Sequence, residues 1–584
     1  MSVRCDLLVR GGTIVDGRGG EPYVGDVAIH DGWIVAVGAF DGEADEIIDA
    51  SGLTVTPGFV DIHTHYDGQA IWSEEMSPSS SHGVTTVVTG NCGVGFAPCR
   101  PEDHDLLIEV MEGVEDIPGV VMAEGLPWDW ETFPEYLDAL DTRPRDIDVG
   151  AYLPHSPLRV YVMGERGARR EPATAEDLAR MNALTREAIE AGALGVASSR
   201  MMYHRTKAGE QIPSYQAADA ELQALADALK DAGSGIVQLV PDVPAASWDD
   251  ELDHLIGVAE KSGRPATFTL GTSNSGPPIW EQALNRVADA NARGAHIRAQ
   301  VLPRPVGLLM GWELSTHPFC TCPSWPAIEA LPFSERIAKL RDPAVRAALI
   351  AEQPDPRNLF AMSARNWDWI FPLGEQPNYE PAREDSIAAR AAVTGVAPEV
   401  VAYDLMLQGD GRAMLYNALG NFHDYRLDVI HDMMKRPDTV VGLGDGGAHY
   451  GAICDASYPT FMLTYWTQNR AGPRLSLAQA VRILAHDPAE MVGLNDRGVI
   501  APGYKADINV IDLAALHLHA PQVRHDLPSG GRRLDQAADG YVATIVSGTV
   551  IRRNDRPTGA RPGRVVRGAQ SPRADRSERR NAMA

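Results

Sequence analysis

The sequence predicts an α/β fold: a (β/α)8 TIM-like barrel, a small β-sandwich domain built from both termini, and a helical insertion after the seventh barrel strand. Three observations predict it. Apolar runs alternate with helix-like stretches through the middle of the chain, short strand-like runs recur at both ends, and one late interval is far longer than a single helix. Regular alternation of strands and helices is typical of a parallel sheet covered by helices.

The composition is that of an ordinary soluble globular protein. The 584 residues are 44% hydrophobic and 22% charged, with a formal net charge of -27. So acidic a chain disfavours non-specific binding to nucleic acid or to an anionic membrane. Its six cysteines are too scattered for a disulfide framework, its first residues lack the apolar core of a signal peptide, and no apolar stretch approaches a membrane span. We therefore expect a cytoplasmic protein with no nucleic-acid or membrane partner.

The two ends of the chain share a strand-rich texture. Residues 1–55 contain short apolar runs broken by Gly-Gly, Asp-Gly and Ser-Gly pairs, where hairpins turn. Similar runs return within residues 499–560, as KADINVIDL and YVATIVSGTVIRRN. We therefore expect one β-sandwich domain, with residues 1–55 as its first part and residues 499–560 as its second.

Eight apolar runs between these ends predict the barrel strands. Residues 56–303 are expected to hold strands one to seven, and residues 439–498 strand eight with a closing helix. Helix-like stretches such as AEDLARMNALTREAIEAG lie between several of the runs. The functional residues of this fold lie where the strands end. The runs are LTVTPGFVDIHTH, TTVVTGNCG, DVGAYLPH, GALGVASSR, GIVQLVPD, ATFTLGTS, HIRAQVLPR and TVVGLGDGG.

Two further segments do not follow this alternation of strands and helices. Residues 304–438 are too long for a structureless loop, so they predict a mostly helical insertion that either leans over the barrel mouth or forms an outer subdomain. The insertion carries four tryptophans, Trp312, Trp325, Trp367 and Trp369. The tail, residues 561–584, is rich in Pro, Gly and Arg and is expected to be disordered or to lie along a neighbouring subunit. A homo-oligomer is therefore an open alternative.

Two histidines directly follow the first predicted barrel strand, in the stretch from Asp61 to Asp67 (DIHTHYD). Alternate side chains of a strand share a face, so His63 and His65 are expected to point the same way, where a metal could take both. The alternative is that they are ordinary polar residues of a strand-to-helix loop.

Two other barrel strands end in residues with metal-binding chemistry. Cys92 follows strand two in GNCG, and Asp445 follows strand eight in GLGDGG. Two imidazoles, a thiolate and a carboxylate suit zinc, which accepts nitrogen, sulfur and oxygen donors. Each residue also has a plainer interpretation. Cys92 could be a small buried hydrophobe, Asp445 a turn residue, and the nearby His449 a loop cap instead of a residue that lines the mouth.

Several motifs together resemble the amidohydrolase superfamily and, within it, the N-acyl-D-amino-acid deacylase (D-aminoacylase) group. They are LLVRGGTIVDG, VTPGFVDIHTHYD, SHGVTTVVTGNCGVGFAP, EAGALGVASS, LGDGGAH and ILAHDPAEMVGLNDRGVIAPGYKADINVID. HTHYD together with GNCG is typical of the deacylases, whereas DRG.I.PG.KADI is common to the wider superfamily.

The resemblance implies a hydrolase that acts on carbon-nitrogen bonds other than peptide bonds, with a metal-activated water in the barrel mouth. Carried across by position, His63, His65 and Cys92 would be metal ligands. Asp445 would be the acid/base, and a ligand as well. The expected cofactor is zinc or another divalent metal, one ion per subunit, and the expected substrate is a small-molecule amide.

Two departures from the family pattern bear on the site. The deacylases offer histidines at the ends of strands five and six, but here Gln238 and Thr269 or Gly271 stand at those positions. Strand four, often the source of a bridging group, is followed by SSRMMYHRTK, whose His204 or Lys207 could reach inward. A complete two-metal site is therefore not expected.

The second departure concerns substrate recognition. The deacylases hold the amino-acid carboxylate with basic groups after strands six and eight, but TLGTSNSGPP and GGAHYGAICDASYPT contain no Lys or Arg. Candidate substrate-binding residues come from elsewhere: Arg200, Tyr203, His204, Lys207, Gln238 and His449. The leading prediction is hydrolysis of a linear amide, most simply an N-acyl-D-amino acid. The alternatives are a hydrolase of cyclic amides such as imides or hydantoins, and a catalytically degenerate barrel that acts as a binding protein.

Overall fold

The computed structural model describes residues 4–242, 248–275 and 279–573, and eight parallel strands lie at its centre in chain order. The third strand has two pieces, of which the first pairs with the second strand and the other pairs with the fourth. The bounds are β1 Phe59–Asp61, β2 Val84–Thr89, β3 Asp148–Ala151 and Leu153–Pro154, β4 Gly195–Ser199, β5 Ile236–Val240, β6 Ala266–Thr269, β7 Ile297–Val301 and β8 Thr439–Val441. Each of the eight predicted runs overlaps one of these strands, with β2 beginning one residue before its run, and the predicted α/β class is confirmed.

Strands β8 and β1 meet just beyond their carboxyl ends. Asp445 N donates to His63 O over 3.1 Å, and His65 N donates to Gly446 O over 2.8 Å. These two bonds tie the loop after β8 to the loop after β1. The side chains that follow the first and last strands are thereby brought together.

Helices cover the outside of the strands. Ala175–Ala191 shows why the sequence forms them: Thr174 and Asp177 make a capping box at its start, and Met181, Thr185, Ala188 and Ile189 form one buried face. The other helices around the strands are Gln69–Trp72, His104–Glu115, Gly119–Gly125, Phe133–Asp141, His155–Met163, Glu165–Ala168, Asp219–Ala232, Trp248–Ser262, Trp280–Ala292, Tyr458–Phe461, Leu477–Leu484 and His486–Met491, with a π-helix at Met462–Asn469. Within the described residues, no helix combines the length and apolarity needed to cross a bilayer.

The N-terminal and C-terminal segments join in one nine-stranded sheet. Thr54–Pro57 lies between Arg4–Ile14 on one side and Ile508–Ile511 on the other, so strands from opposite ends of the chain are direct neighbours. The remaining strands are Tyr23–His30, Trp33–Gly38, Glu43–Asp49, Tyr541–Val546, Thr549–Arg553 and Arg556–Pro557. Short two-stranded pairs also form between His517–Leu518 and Ala538–Asp539, and between Gln522–Arg524 and Arg533–Asp535.

The segment between β7 and β8 contains both helices and a sheet. Val306–Met310, Ile370–Pro372 and Leu415–Gly420 form a three-stranded antiparallel sheet, which the prediction of a mostly helical insertion did not include. These strands are short and nearly all buried, so they show no polar-apolar alternation in the sequence. The helices are Trp325–Glu329, Phe333–Leu340, Pro343–Ala351, Leu359–Ser363, Ile387–Thr394, Pro398–Met406, Gln408–Gly411 and Asp428–Met434. In the core of this segment Trp312 stacks on Trp325 and makes a T-shaped contact with Tyr403.

The described part of the tail packs against β3 of the central strands, which differs from the predicted disordered tail. Val149 N donates to Arg564 O over 3.0 Å, and Val566 N donates to Val149 O over 2.8 Å. The Val566 side chain is buried. The tail is ordered here mainly through its backbone, which composition does not reveal. Residues 574–584 lie outside the described residues.

A buried ionic network joins β3 to the segment that leads into the terminal sheet. Arg497 donates to the Asp148 carboxylate over 2.7 Å and to the Asp496 carboxylate over 2.9 Å. Lys505 lies 2.9 Å from Asp148 and 2.8 Å from Asp507. The charged residues of the DRG and KAD motifs are therefore structural, since they fix β3 against the segment that leads into the terminal sheet.

Candidate metal centre and active site

The two histidines after β1 lie side by side in a buried position. β1 ends at Asp61, so both imidazoles belong to the following loop and not to the strand. Their ring centroids are 5.6 Å apart, and both side chains are almost fully buried. The backbone of the loop is held by the Asp61 carboxylate, which accepts from His63 N over 3.1 Å. The predicted common orientation of His63 and His65 is therefore produced by the loop.

Cys92 lies between the two imidazoles. Its Sγ is 3.3 Å from His63 Nε2 and 3.7 Å from His65 Nε2. The residue has a φ of 55°, a left-handed conformation that is uncommon outside glycine. The backbone turns sharply at the neighbouring Gly90, where a Cβ atom would come within 2.3 Å of Tyr152 O. Such strain directly after a strand often marks a functional site.

Asp445, in the loop after β8, places its carboxylate beside the imidazoles of His63 and His65. Its Oδ1 lies 3.6 Å from His63 Nε2 and 3.8 Å from His65 Nε2, and its side chain is 19% exposed. Asp445 also has a positive φ, of 47°. A Cβ atom at the preceding Gly444 would come within 2.0 Å of Asp61 Oδ2, so this glycine allows the two loops to approach.

The donor atoms fit a divalent cation. One ligand atom each from His63, His65 and Cys92 lies within 4.8 Å of the other two. For bond lengths of about 2.0–2.3 Å, ligand atoms of a tetrahedral zinc site are roughly 3.3–3.7 Å apart, which matches the sulfur-nitrogen distances given above. Burial lowers the pKa of His63 to about 4 and that of His65 well below its usual value, so both rings are neutral near pH 7 and have lone pairs for a cation.

Two glutamines hold the inner edge of the cluster. His63 Nδ1 lies 2.6 Å from Gln300 Oε1 of β7, and Gln238 Oε1 of β5 accepts from Cys92 N over 3.3 Å. At the end of β6, the buried Thr269 hydroxyl has no hydrogen-bond partner within the described residues. At the ends of β5 and β6, therefore, one carboxamide supports the cysteine backbone and one hydroxyl lacks a partner in the part of the chain that the structure describes.

Glu115 is the residue that sequence reasoning missed. It ends the helix His104–Glu115, and its oxygens lie 3.4 Å from His65 Nδ1 and 3.4 Å from His449 Nε2. The available signal was its helical spacing from Leu107, Met111 and Val114, which places a carboxylate on the apolar face of the helix. An acidic residue on such a face must have a partner at its inner end.

Burial dominates the electrostatics of the acidic groups. It raises the pKa of Glu115, Asp445 and Cys92 well above their usual values, and neighbouring carboxylates add to the effect. Asp61 is affected in the same way, with a pKa of about 7. A compact set of buried acids that repel one another is an environment in which a cation is strongly stabilised.

The candidate substrate-binding residues separate into two sets. His204 and His449 lie close enough to the cluster for each to lower the pKa of His65 further. His204 Nδ1 is 2.8 Å from Ser199 Oγ at the end of β4. By contrast, Arg200 pairs with Glu251 at 3.0 Å and Lys207 pairs with Glu112 at 3.0 Å. Tyr203 is exposed at the surface.

The fold and the cluster define a class of protein: a parallel α/β structure with a group of possible metal ligands in the loops that follow its strands. The chain belongs to the amidohydrolase family, whose model, described as "Amidohydrolase family", matches residues 46–552.

Individual relatives agree with this assignment. The chain is similar to an N-acyl-D-aspartate deacylase of Alcaligenes xylosoxydans xylosoxydans, with 27% identity over 570 residues that cover 96% of this chain and 95% of the relative. A D-aminoacylase of the same organism is 31% identical over 48% of this chain and 55% of its own length. The crystal structure of an N-acyl-D-glutamate deacylase from Bordetella bronchiseptica, complexed with zinc and a phosphonate inhibitor, superposes with a TM-score of 0.65. It covers 97% of this chain and 100% of its own at 22% identity, and the likeness shows a shared fold.

Proposed function

We propose that the protein is a metal-dependent hydrolase that cleaves the linear amide bond of N-acyl-D-amino acids. The proposal includes a closed (β/α)8 barrel with a β-sandwich domain from both termini. The observation that carries it is the meeting of His63, His65 and Cys92 within 4.8 Å, with Asp445 beside both imidazoles. The two similar proteins from Alcaligenes, whose names specify deacylation of D-amino acids, support the substrate class.

His63, His65 and Cys92 would hold one divalent cation, zinc or a similar ion, with Asp445 as a further ligand. When bound, the cation supplies a Lewis acid that polarises the amide carbonyl and makes water more acidic. The neutral imidazoles contribute lone pairs through Nε2, because the Nδ1 atom of His63 faces Gln300. With Gln238 and Thr269 at the ends of β5 and β6, the proposal is for one ion per subunit.

Asp445 acts as the acid/base. Its partly exposed carboxylate stands beside the two imidazoles, so it can take a proton from the attacking water and deliver it to the leaving nitrogen. Burial raises the pKa of Asp445, which makes the carboxylate a stronger base than an exposed aspartate. One residue can serve both steps because the proton that it takes is the proton that it returns.

Substrate binding is assigned to His204, His449 and Gln238 around the cluster, with Tyr203 at the surface as a further candidate. Arg200 and Lys207 are weaker candidates, since each already pairs with a carboxylate. The lack of an unpaired cation among these candidates is the observation that favours the alternative, a cyclic amide that carries no carboxylate. The six free thiols support a cytoplasmic location.

Replacement of Asp445 tests the proposal. Purified wild-type protein should hold close to one equivalent of cation and hydrolyse N-acyl-D-amino acids in preference to their L-isomers and to hydantoins. Asp445→Asn should keep most of the cation but lose about 10²- to 10⁴-fold in kcat. Asp410→Asn, at a surface side chain that is 96% exposed, is the control. Full activity of the Asp445 variant contradicts the acid/base role, and preference for hydantoins favours the alternative.

A further inference from the structure

Glu115 is a buried carboxylate with no hydrogen bond to its side chain among the described residues. Both of its oxygens are inaccessible and without such a partner, and the side chain is 1% exposed. Burying an unpaired carboxylate is expensive, and an acid in such a place is retained only with compensating partners. Two imidazoles lie within 3.4 Å of its oxygens, and they are the ionisable partners that the described residues offer to it.

The first imidazole is that of His65. Its two nitrogens face opposite sides: Nε2 lies 3.7 Å from Cys92 Sγ, whereas Nδ1 lies 3.4 Å from Glu115 Oε1. His65 Nδ1 is itself buried and has no hydrogen-bond partner within the described residues, so the Glu115 carboxylate is the acceptor that stands beside it. A neutral imidazole carries one N–H and one lone pair, so a carboxylate at Nδ1 selects the form whose lone pair is on Nε2.

The second imidazole is that of His449, whose Nε2 lies 3.4 Å from Glu115 Oε2. The backbone fixes this pairing, since His449 N donates to Glu115 O. One residue further along the helix terminus, Asp116 Oδ2 accepts from Gly451 N over 3.0 Å. The end of the helix is therefore attached to the loop after β8, and the Glu115 carboxylate cannot turn away from both rings.

We propose that Glu115 is a positioning residue that sets the tautomer and orientation of His65 and His449 in the barrel mouth. This inference rests on the proposed function. A carboxylate that accepts from the far nitrogen of a ligating histidine orients the ring and makes the other nitrogen a better donor. Glu115 thus acts on the cluster through His65, and it couples His449 to the same carboxylate.

The test compares Glu115→Gln with the wild-type protein in cation affinity. Gln keeps the size but removes the charge. We expect it to bind one equivalent at saturating zinc, with an affinity 10- to 100-fold lower in competition with a chromophoric chelator. Glu112→Gln, one turn earlier on the same helix and paired with Lys207, is the matched control and should stay within twofold of wild type. Equal affinity of Glu115→Gln and wild type overturns the inference, and so does loss of the saturating equivalent, which would make Glu115 a ligand.

A second measurement uses the wild-type protein, so it does not depend on whether a variant folds. In the zinc-loaded wild-type protein, ¹⁵N spectra of labelled histidines should show His65 with a proton on Nδ1 and none on Nε2. The opposite tautomer overturns the inference. The two failures are distinguishable: wild-type protein that binds no divalent cation overturns the proposed function, whereas wild-type binding with an unaffected Glu115 variant overturns only the positioning role.

Discussion

His63 Nδ1 lies 2.6 Å from Gln300 Oε1, so a side chain of β7 sets the protonation of the first candidate ligand. The carboxamide oxygen can only accept, and the proton of the neutral ring is therefore on Nδ1. This leaves the lone pair of Nε2 facing Cys92 and Asp445.

Replacing Gln300 by Leu should therefore weaken cation binding by about 10- to 100-fold while the chain stays folded. Isothermal titration of the metal-depleted protein measures the effect. Gln376→Leu, at an exposed position, is the control. An unchanged affinity would show that the Gln300 contact does not support the site.

Removal of the cation should lower the thermal stability. A ligand at 100 times its Kd stabilises the folded state by about 2.7 kcal/mol, so dialysis against a chelator should lower Tm measurably and abolish turnover. Zinc should restore both, and Cys92→Ser should reduce the recovery. His486→Ala is the control, because His486, Asp487 and Glu490 form a second, more exposed group of possible ligands. If that variant alone prevents recovery, the site has been misplaced.

His317 should make the insertion sensitive to acid. Burial among Trp312, Phe319 and Trp325 lowers its pKa to about 3. Between pH 6.5 and 3 only the unfolded chain binds the proton, so stability falls as the pH falls. The loss from pH 7.5 to 5 is about 2 kcal/mol for this residue.

Denaturant unfolding of wild type and His317→Gln at the two pH values checks this. The variant loses the acceptor for Phe319 N and is less stable at both values, but its decline with pH should be smaller by about that amount. If wild type and His317→Gln lose the same free energy of unfolding between the two pH values, His317 is not the source of the acid sensitivity.

Breaking the buried network at Asp148 should be strongly destabilising. Asp148→Asn leaves Arg497 and Lys505 without full compensation, and removing one partner of a buried pair costs about 3–5 kcal/mol. The exposed Arg4 to Asp45 pair gives the comparison, since Asp45→Asn should leave the free energy of unfolding nearly unchanged. Equal effects in a denaturant titration would contradict a structural role for the network.

The eight parallel strands were predictable because parallel strands buried on both faces are continuous apolar runs. The proximity of His63, His65, Cys92 and Asp445 was also predictable, because each lies just beyond the end of such a strand. The short strands of the insertion were not, since Ile370–Pro372 is three residues long and lacks a pattern.

The sequence does not reveal contacts between residues that are far apart along the chain. Gln300 is 237 residues from His63, and nothing local indicates which of the barrel's polar side chains meets that ring. Glu115 was visible as an acid on an apolar helix face, but its two imidazole neighbours depend on how the helix end docks on the loop after β8. The order of the tail depends on the backbone of β3, which composition does not encode.

The pairing of Thr54–Pro57 with Ile508–Ile511 has a consequence for how the protein is made. At about 5–20 residues per second, a ribosome needs roughly half a minute to a minute and a half to add the 450 or so residues between these strands. Throughout that time Thr54–Pro57 has an unpaired edge, because its partner strand Ile508–Ile511 has not yet been synthesised. Because unpaired edges are where chains aggregate, synthesis of the barrel is the period in which the nascent protein most needs a chaperone.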